Sequence, residues 1–113
     1  MEIKYKIWIE KDGKVVFGKG RDAILTSIQD TRSLSAAAKK LKMSYRAAWG
    51  RLKASEERTG MKLVEVDSTE KGMHLTPQAK AIIERFEKLE EDVKLLLTKA
   101  SLDFQMLIEK KKK

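Results

Sequence analysis

The sequence predicts a mainly α-helical domain of the α+β class, and three features carry this prediction. Residues 33–60 hold two helical patterns joined by a short turn. Residues 2–17 and 62–76 each read as two short strands that turn back on one another. Residues 77–108 hold an uninterrupted helical pattern, and a chain of 113 residues provides for one domain with one modest core.

The N-terminal region predicts a β-hairpin followed by a helix. Residues 2–10 alternate apolar and polar side chains, as a half-buried strand does. Asp12-Gly13 is a strong signal for a tight turn, and the apolar residues 15–17 predict the returning strand. Residues 21–31 then place apolar side chains at helical spacing. The intervening Gly18-Lys19-Gly20 lacks the pattern of a phosphate-binding loop, so we interpret it as a linker.

The next region, residues 33–60, predicts a helix-turn-helix. Ser33 and Ser44 are each placed to cap a helix, because a serine hydroxyl can accept a hydrogen bond from an amide of the first turn. A wheel of the second helix, predicted over residues 44–59, separates a small and apolar side from a basic and aromatic side. The apolar side consists of Ala48, Leu52, Ser55 and Thr59, and the basic side of Tyr45, Arg46, Trp49, Gly50 and Lys53. The second helix of a helix-turn-helix enters the DNA major groove, and a basic outer side suits that position.

The charge distribution agrees with a polyanionic partner. The formal net charge is +8, and residues 33–62 carry eight Lys or Arg against two Glu. The absence of cysteine and the single histidine exclude a disulfide framework and the usual zinc sites, and no cofactor or metal is predicted. No apolar run approaches the length of a membrane span and no signal-peptide pattern opens the chain, so we expect a cytoplasmic protein.

After the second helix, the sequence predicts a wing and then a long helix. A β-prone run at 62–66, a turn-like stretch at 67–72 and a second short strand at 73–76 form a hairpin, which makes the fold a winged helix-turn-helix. Thr76-Pro77 is a clear helix start. We therefore divide the chain into a winged helix-turn-helix DNA-binding domain, residues 1–76, and a long C-terminal dimerisation helix with a basic tail, residues 77–113.

Dimerisation is predicted from the apolar seam of the long helix. A helix of roughly 30 residues would span about 45 Å, and only its first few turns could reach the body of a winged helix. A second copy of the chain is the simplest cover for the rest, although the helix could also fold back over its own domain. The predicted interface residues are Ile82, Phe86, Leu89, Val93, Leu96 and Ala100.

Several of these residues support a family comparison. The spacing of Leu34, Ala37-Ala38, the Leu41–Ser44 turn and Leu75-Thr76 resembles the LysR-type class of winged helices. The run Ser44-Tyr45-Arg46-Ala47-Ala48-Trp49, with Trp8-Ile9-Glu10, Asp12-Gly13-Lys14 and residues 17–21 upstream, resembles the N-terminal DNA-binding domain of the ModE family of molybdate-dependent transcriptional regulators. The resemblance covers roughly residues 3–95, and the Ser-Tyr-Arg-Ala-Ala-Trp run is its most specific part.

The resemblance implies a dimer that binds a palindromic operator in double-stranded DNA. In that family C-terminal domains bind molybdate or tungstate. This chain ends after the long helix and its wing lacks the glycine-rich insertion typical of the family. We therefore expect no oxyanion-sensing domain in this chain, whether it is a stand-alone short regulator or a part of a longer one.

Roles follow for the individual side chains. Ser44 and the amides after it would meet a phosphate, and Tyr45 and Arg46 would reach into the major groove, where arginine can bond guanine in bidentate fashion. Gly50 would let the helix backbone approach closely. Trp49 could contact a base or pack against the protein. The predicted DNA-contacting residues are Ser33, Ser35, Ser44, Tyr45, Arg46, Trp49, Gly50, Lys53 and Lys71.

Three function classes remain open at this stage. We expect a sequence-specific transcriptional regulator. A non-specific architectural DNA binder and a winged-helix protein-interaction module are the alternatives. An enzyme is not expected, because the carboxylates lie mainly on the flanks of the long helix and no Ser/His or Cys/His constellation is present.

Overall fold

The computed structural model describes residues 1–67 and 72–110. It contains four helices and two antiparallel hairpins within these residues, in the order β1 β2 α1 α2 α3 β3 β4 α4. The molecule is elongated, with principal extents of 68 × 30 × 23 Å, because α4 projects from a small body. This is the predicted winged helix-turn-helix with a long C-terminal helix.

The N-terminal hairpin pairs β1, Trp8–Lys11, with β2, Lys14–Gly18. Asp12 and Gly13 both have positive φ angles of 52° and 78°, which confirms the tight turn predicted from this dipeptide. The prediction of a strand over the whole of residues 2–10 is wrong. β2 ends at Gly18 opposite Trp8, so residues before Trp8 have no strand to pair with. They run toward α4 instead, where the Ile3 amide donates to Ser101 Oγ at 3.2 Å.

The three helices of the body are α1, Lys19–Thr31, α2, Leu34–Lys40, and α3, Tyr45–Thr59. α1 begins two residues earlier than predicted, since Gly20 is accommodated inside its first turn. Both predicted serine caps are confirmed: Ser33 Oγ accepts from the Ala36 amide at 3.1 Å, and Ser44 Oγ accepts from the Ala47 amide at 3.0 Å. A serine cap of this kind contributes about 1 kcal/mol to each helix start.

The wing consists of β3, Val64–Asp67, and β4, Gly72–Leu75, in regular antiparallel register. It follows α3 after Gly60, which ends that helix in the left-handed conformation at φ 72°. Such a C-terminal glycine is the usual means of stopping a helix, because glycine adopts positive φ without steric cost. The strands lie close to where the sequence predicts them.

One core joins β2, α1, α2, α3, the wing and the start of α4. Its largest members come from elements distant in sequence, and the rings of Phe17 and Phe86 meet edge to face with centroids 5.2 Å apart. Such an aromatic pair adds about 0.5–1.5 kcal/mol to the burial of the two rings. The core therefore locks the beginning of α4 onto the helix-turn-helix.

α4 runs from Pro77 to Lys110 without a break. Thr76 links its start to the body, because Thr76 Oγ1 accepts from the Ala79 amide and donates to the Lys62 carbonyl. The predicted dimer seam needs correction at Phe86, which is only 1% exposed and therefore not available to a second chain. Ile82 is partly buried against the same core. The predicted domain boundary at residue 76 coincides with the start of the long helix, but the core extends past it into the first turns of α4.

Candidate nucleic-acid interface

The outer side of α3 is the centre of the candidate interface. Tyr45 is 54% exposed and Trp49 47% exposed, and Arg46 and Gly50 are exposed beside them. The opposite side of the helix is packed into the core, with Ala48, Leu52 and Ser55 buried. The division into a buried and an outward side follows the wheel predicted from the sequence, because a helix that packs against a core on one side presents the other to solvent.

The start of α3 is electropositive as well as exposed. Ser44 is exposed and its hydroxyl occupies one amide of the first turn, while the helix dipole places partial positive charge at this end. Tyr45 and Arg46 are the first two residues of the helix. An incoming phosphate or base edge would therefore meet amides, a phenol and a guanidinium together.

Lys53 is part of a small cluster at the side of α3 that meets the wing. Its ammonium lies 3.1 Å from Glu56 Oε1 and 5.8 Å from the centroid of the Trp49 ring. The other Glu56 oxygen accepts the Leu63 amide at 2.8 Å, and so ties α3 to the chain entering β3. Burial works against ionisation of Glu56, but the Leu63 amide and Lys53 outweigh it and lower the pKa of this carboxyl. Lys53 is thus oriented by a carboxylate that sequence reasoning missed.

The two serines at the start of α2 differ in how accessible their side chains are to a binding partner. Ser33 is half-buried and its hydroxyl is engaged in capping α2, whereas Ser35 is exposed in the first turn of that helix. Near the end of α2, the Lys40 ammonium lies 3.3 Å from Asp30 Oδ2, and both side chains are exposed. An exposed pair of this kind is weak and can exchange for a phosphate at little cost.

The described part of the wing is acidic. Glu65 lies across the hairpin from His74, with 3.5 Å between Glu65 Oε2 and His74 Nε2, and Asp67 follows on β3. The predicted contact by Lys71 lies outside the described residues, as do residues 111–113 of the basic tail.

The flank of α3 away from the wing meets the N-terminal hairpin and is basic. The wheel indicates that Arg51 and Arg58 point away from the groove-facing side, and Arg58 does bond within the chain, donating to the Val15 carbonyl of β2 at 2.5 Å. Arg21 of α1 joins them by donating through Nε to Ser55 Oγ at 3.0 Å. Sequence reasoning missed Arg21, since nothing in the local pattern of α1 indicates a contact with α3.

The projecting part of α4 carries an exposed apolar stripe. Leu89, Leu96, Phe104 and Leu107 recur at helical spacing and are between 40% and 64% exposed. The predicted interface residues Val93 and Ala100 fall on the same side of the helix and are half-buried. This stripe begins where contact between α4 and the core ends.

Residues 1–67 and 72–110 contain no group of three or more His, Cys, Asp or Glu that could hold a metal ion. Over the same residues, no helix is both long and apolar enough to cross a membrane.

Comparison with known proteins identifies the family to which this chain belongs. Residues 23–80 match the model for the bacterial regulatory helix-turn-helix proteins of the lysR family. No curated protein matches the chain. Among solved structures, the CbnR DNA-binding domain in complex with DNA is similar, with a TM-score of 0.54, 22% identity, and coverage of 80% of this chain and 95% of that chain. That likeness establishes the winged-helix fold. The chain belongs to the lysR family of bacterial regulatory helix-turn-helix proteins, a class of DNA-binding transcription regulators.

Proposed function

We propose that this protein is a sequence-specific regulator that binds double-stranded DNA as a homodimer, with α3 in the major groove. The observation that carries the proposal is the outward side of α3, where Tyr45, Arg46 and Gly50 stand exposed above a buried opposite side. The similar CbnR domain was solved with DNA, which supports this reading. Because its partner would be the bacterial chromosome, we place the protein in the cytoplasm.

Each exposed side chain has a role in this proposal. Tyr45 and Arg46 read base edges from the first turn of α3, and Ser44 holds a phosphate together with the amides beside it. Gly50 allows the helix axis to come close to the bases. Lys53 binds a phosphate while keeping its contact with Glu56, because an ammonium has three protons to donate.

The remaining predicted contacts lie around α3. Ser35 is exposed in the first turn of α2 and can donate to the DNA backbone. Ser33 stays a predicted backbone contact beside it, at the cap that its hydroxyl forms. The Lys53 ammonium lies 5.8 Å from the centroid of the Trp49 ring, and this contact favours a packing role at the edge of the groove over a base contact. Lys71 remains a predicted backbone contact of the wing.

Homodimerisation is proposed from the stripe on α4. In aqueous solution, an exposed apolar surface of this length on a charged helix favours pairing with a second copy of the same helix, as in a coiled coil. Two copies related by a two-fold axis would present two α3 helices to a palindromic operator. The interface we propose contains Leu89, Val93, Leu96 and Ala100, continued by Phe104 and Leu107.

The dimer has a direct test. Leu96→Glu places a charge on the 64% exposed centre of the stripe and is expected to halve the mass of the particle in solution. Thr98→Glu adds the same charge on a different side of α4, where the side chain is exposed, and is the matched control. A wild-type protein that is monomeric at all concentrations, or a Leu96→Glu variant with wild-type mass, would contradict the proposed interface.

Sequence specificity is tested by selection of bound sequences from a random DNA pool, with the mass of the complex measured in solution. We expect an enriched two-fold symmetric site bound by two chains. A specificity ratio near one between selected and random DNA would indicate an architectural binder instead. Absence of the salt dependence that phosphate contacts cause would indicate a protein-interaction module.

A narrower assignment to the ModE family stays a prediction. It rests on the Ser-Tyr-Arg-Ala-Ala-Trp run at the start of α3.

A further inference from the structure

Three arginines meet where α3 packs against the N-terminal hairpin, and we call Arg21, Arg51 and Arg58 the arginine patch. Ser55 lies one turn after Arg51 and one turn before Arg58 on α3, and its hydroxyl accepts from Arg21 at 3.0 Å. Arg58 is fixed to the β2 backbone through the Val15 carbonyl. The two hydrogen bonds fix the side chains of Arg21 and Arg58, and both Arg58 and Arg51 are near enough to act on the charge of Arg21.

The described residues provide no carboxylate partner for this patch. The ion pairs that the structure shows join other cations, such as Lys40 with Asp30, Lys53 with Glu56 and Lys88 with Asp92. In the patch, burial and the neighbouring charges of Arg58 and Arg51 lower the pKa of Arg21, so the three groups repel one another. A bound anion would relieve that repulsion, and guanidinium groups match phosphate oxygens in bidentate geometry.

The position of the patch indicates which anion it would meet. On the wheel of α3, Arg51 and Arg58 lie about 110° from the middle of the side formed by Arg46 and Gly50, toward the hairpin. The wing lies on the other flank of α3, where Glu56 contacts Leu63. A helix in the major groove has a phosphate backbone on each side, so one of the two strands would pass the patch.

The two flanks also differ in charge. On the wing side, Lys53 is paired with Glu56, and Glu65 and Asp67 add further acidic groups. On the hairpin side, the exposed charges of Glu10, Lys11, Asp12 and Lys14 cancel, so the positive surface there comes from the patch itself. Both the hairpin and Arg21 lie before residue 23, outside the part of the chain that matches the family model.

We propose that the arginine patch is a phosphodiester-binding site, which binds the DNA backbone on the hairpin side of α3. This inference rests on the proposed function, since it needs α3 in the groove. It assigns a DNA-contacting role to the N-terminal hairpin and to Arg21, which no local pattern in the sequence indicated. The contact is sequence-independent, because phosphates carry no base information.

The test uses the full chain and the variant Arg51→Gln. Arg51 is exposed and makes no hydrogen bond or ion pair within the described residues, so its removal should leave folding intact. The control is Arg85→Gln, which removes the same charge from an exposed position on α4. Affinity for a selected operator and for random DNA is measured at salt concentrations from roughly 50 to 200 mM.

The proposal predicts that Arg51→Gln lowers the slope of log affinity against log salt by about 0.9, equally for both DNAs, while Arg85→Gln keeps the wild-type slope. Ethylation of the phosphates on the hairpin side of α3 should weaken wild-type binding more than Arg51→Gln binding, whereas ethylation of the phosphates near Ser44 and Lys53 should weaken both. Specific binding by the wild type together with an unchanged slope in Arg51→Gln would overturn the patch and leave the proposed function standing. Absence of DNA binding by the wild type would overturn both.

Discussion

Gly50 offers a prediction in which stability and function move in opposite directions. It lies in the interior of α3, it is exposed, and a Cβ built on it meets no atom within 4 Å. Glycine in a helix interior is less favourable than alanine by about 0.8–1.0 kcal/mol. Because the added methyl group has free space, Gly50→Ala should gain nearly this full amount. For a domain of this size, the gain corresponds to a rise in melting temperature of about 4–8 °C.

DNA affinity should fall in the same variant. If α3 lies in the major groove with Gly50 toward the bases, the methyl group occupies space that the DNA needs. The assay is a thermal melt and an operator titration on one protein preparation. Gly20→Ala is the control, since Gly20 lies in the first turn of α1 and its Cβ would also meet no atom within 4 Å. A Gly50→Ala variant that melts higher and binds as tightly as wild type would refute the close approach of α3, and a lower melting temperature would refute the structural argument.

Three further predictions concern the body. Phe86→Ala removes a buried ring that meets Phe17 and should lower the free energy of unfolding by about 3–5 kcal/mol in a denaturant titration, whereas a ring lying in a dimer interface would show a concentration-dependent loss. Burial, followed by the charge of Glu87, raises the pKa of Asp22 to about 6, so the folded state binds this proton more tightly than the unfolded state. Stability should therefore fall as pH rises from about 4 to about 6, and Asp22→Asn should flatten that dependence in melts across the range. Ser33→Ala removes the cap of α2 and should cost about 0.5–2 kcal/mol; no loss in a denaturant titration would contradict the cap geometry.

The sequence predicted most of the fold because its local signals agree with the packing. The Asp12-Gly13 turn, the two serine caps and the stop at Gly60 each act over a few residues, and each forms as expected. The strand over residues 2–10 was predicted wrongly because alternation indicates a strand only where another strand is available to pair. That limit depends on the length of β2, which alternation does not encode.

The candidate site was predicted along α3 and missed where elements distant in sequence meet. The wheel of one helix separates the side of Tyr45 from the buried side of Leu52, because both sides belong to a single periodic pattern. It cannot indicate that Glu56 accepts amides from the start of the wing, or that Arg21 reaches Ser55 from another helix. Phe86 was assigned to the dimer seam for the same reason, since its spacing on α4 continues into the exposed stripe.

The central claim is that the exposed first turn of α3 reads DNA, and Arg46→Ala measures it most directly. The equilibrium affinities of wild type and Arg46→Ala are compared on the selected operator and on random DNA at one salt concentration. The account predicts that the operator affinity falls by a factor equivalent to about 1–3 kcal/mol, with a much smaller change on random DNA. An operator affinity equal to that of the wild type would contradict it.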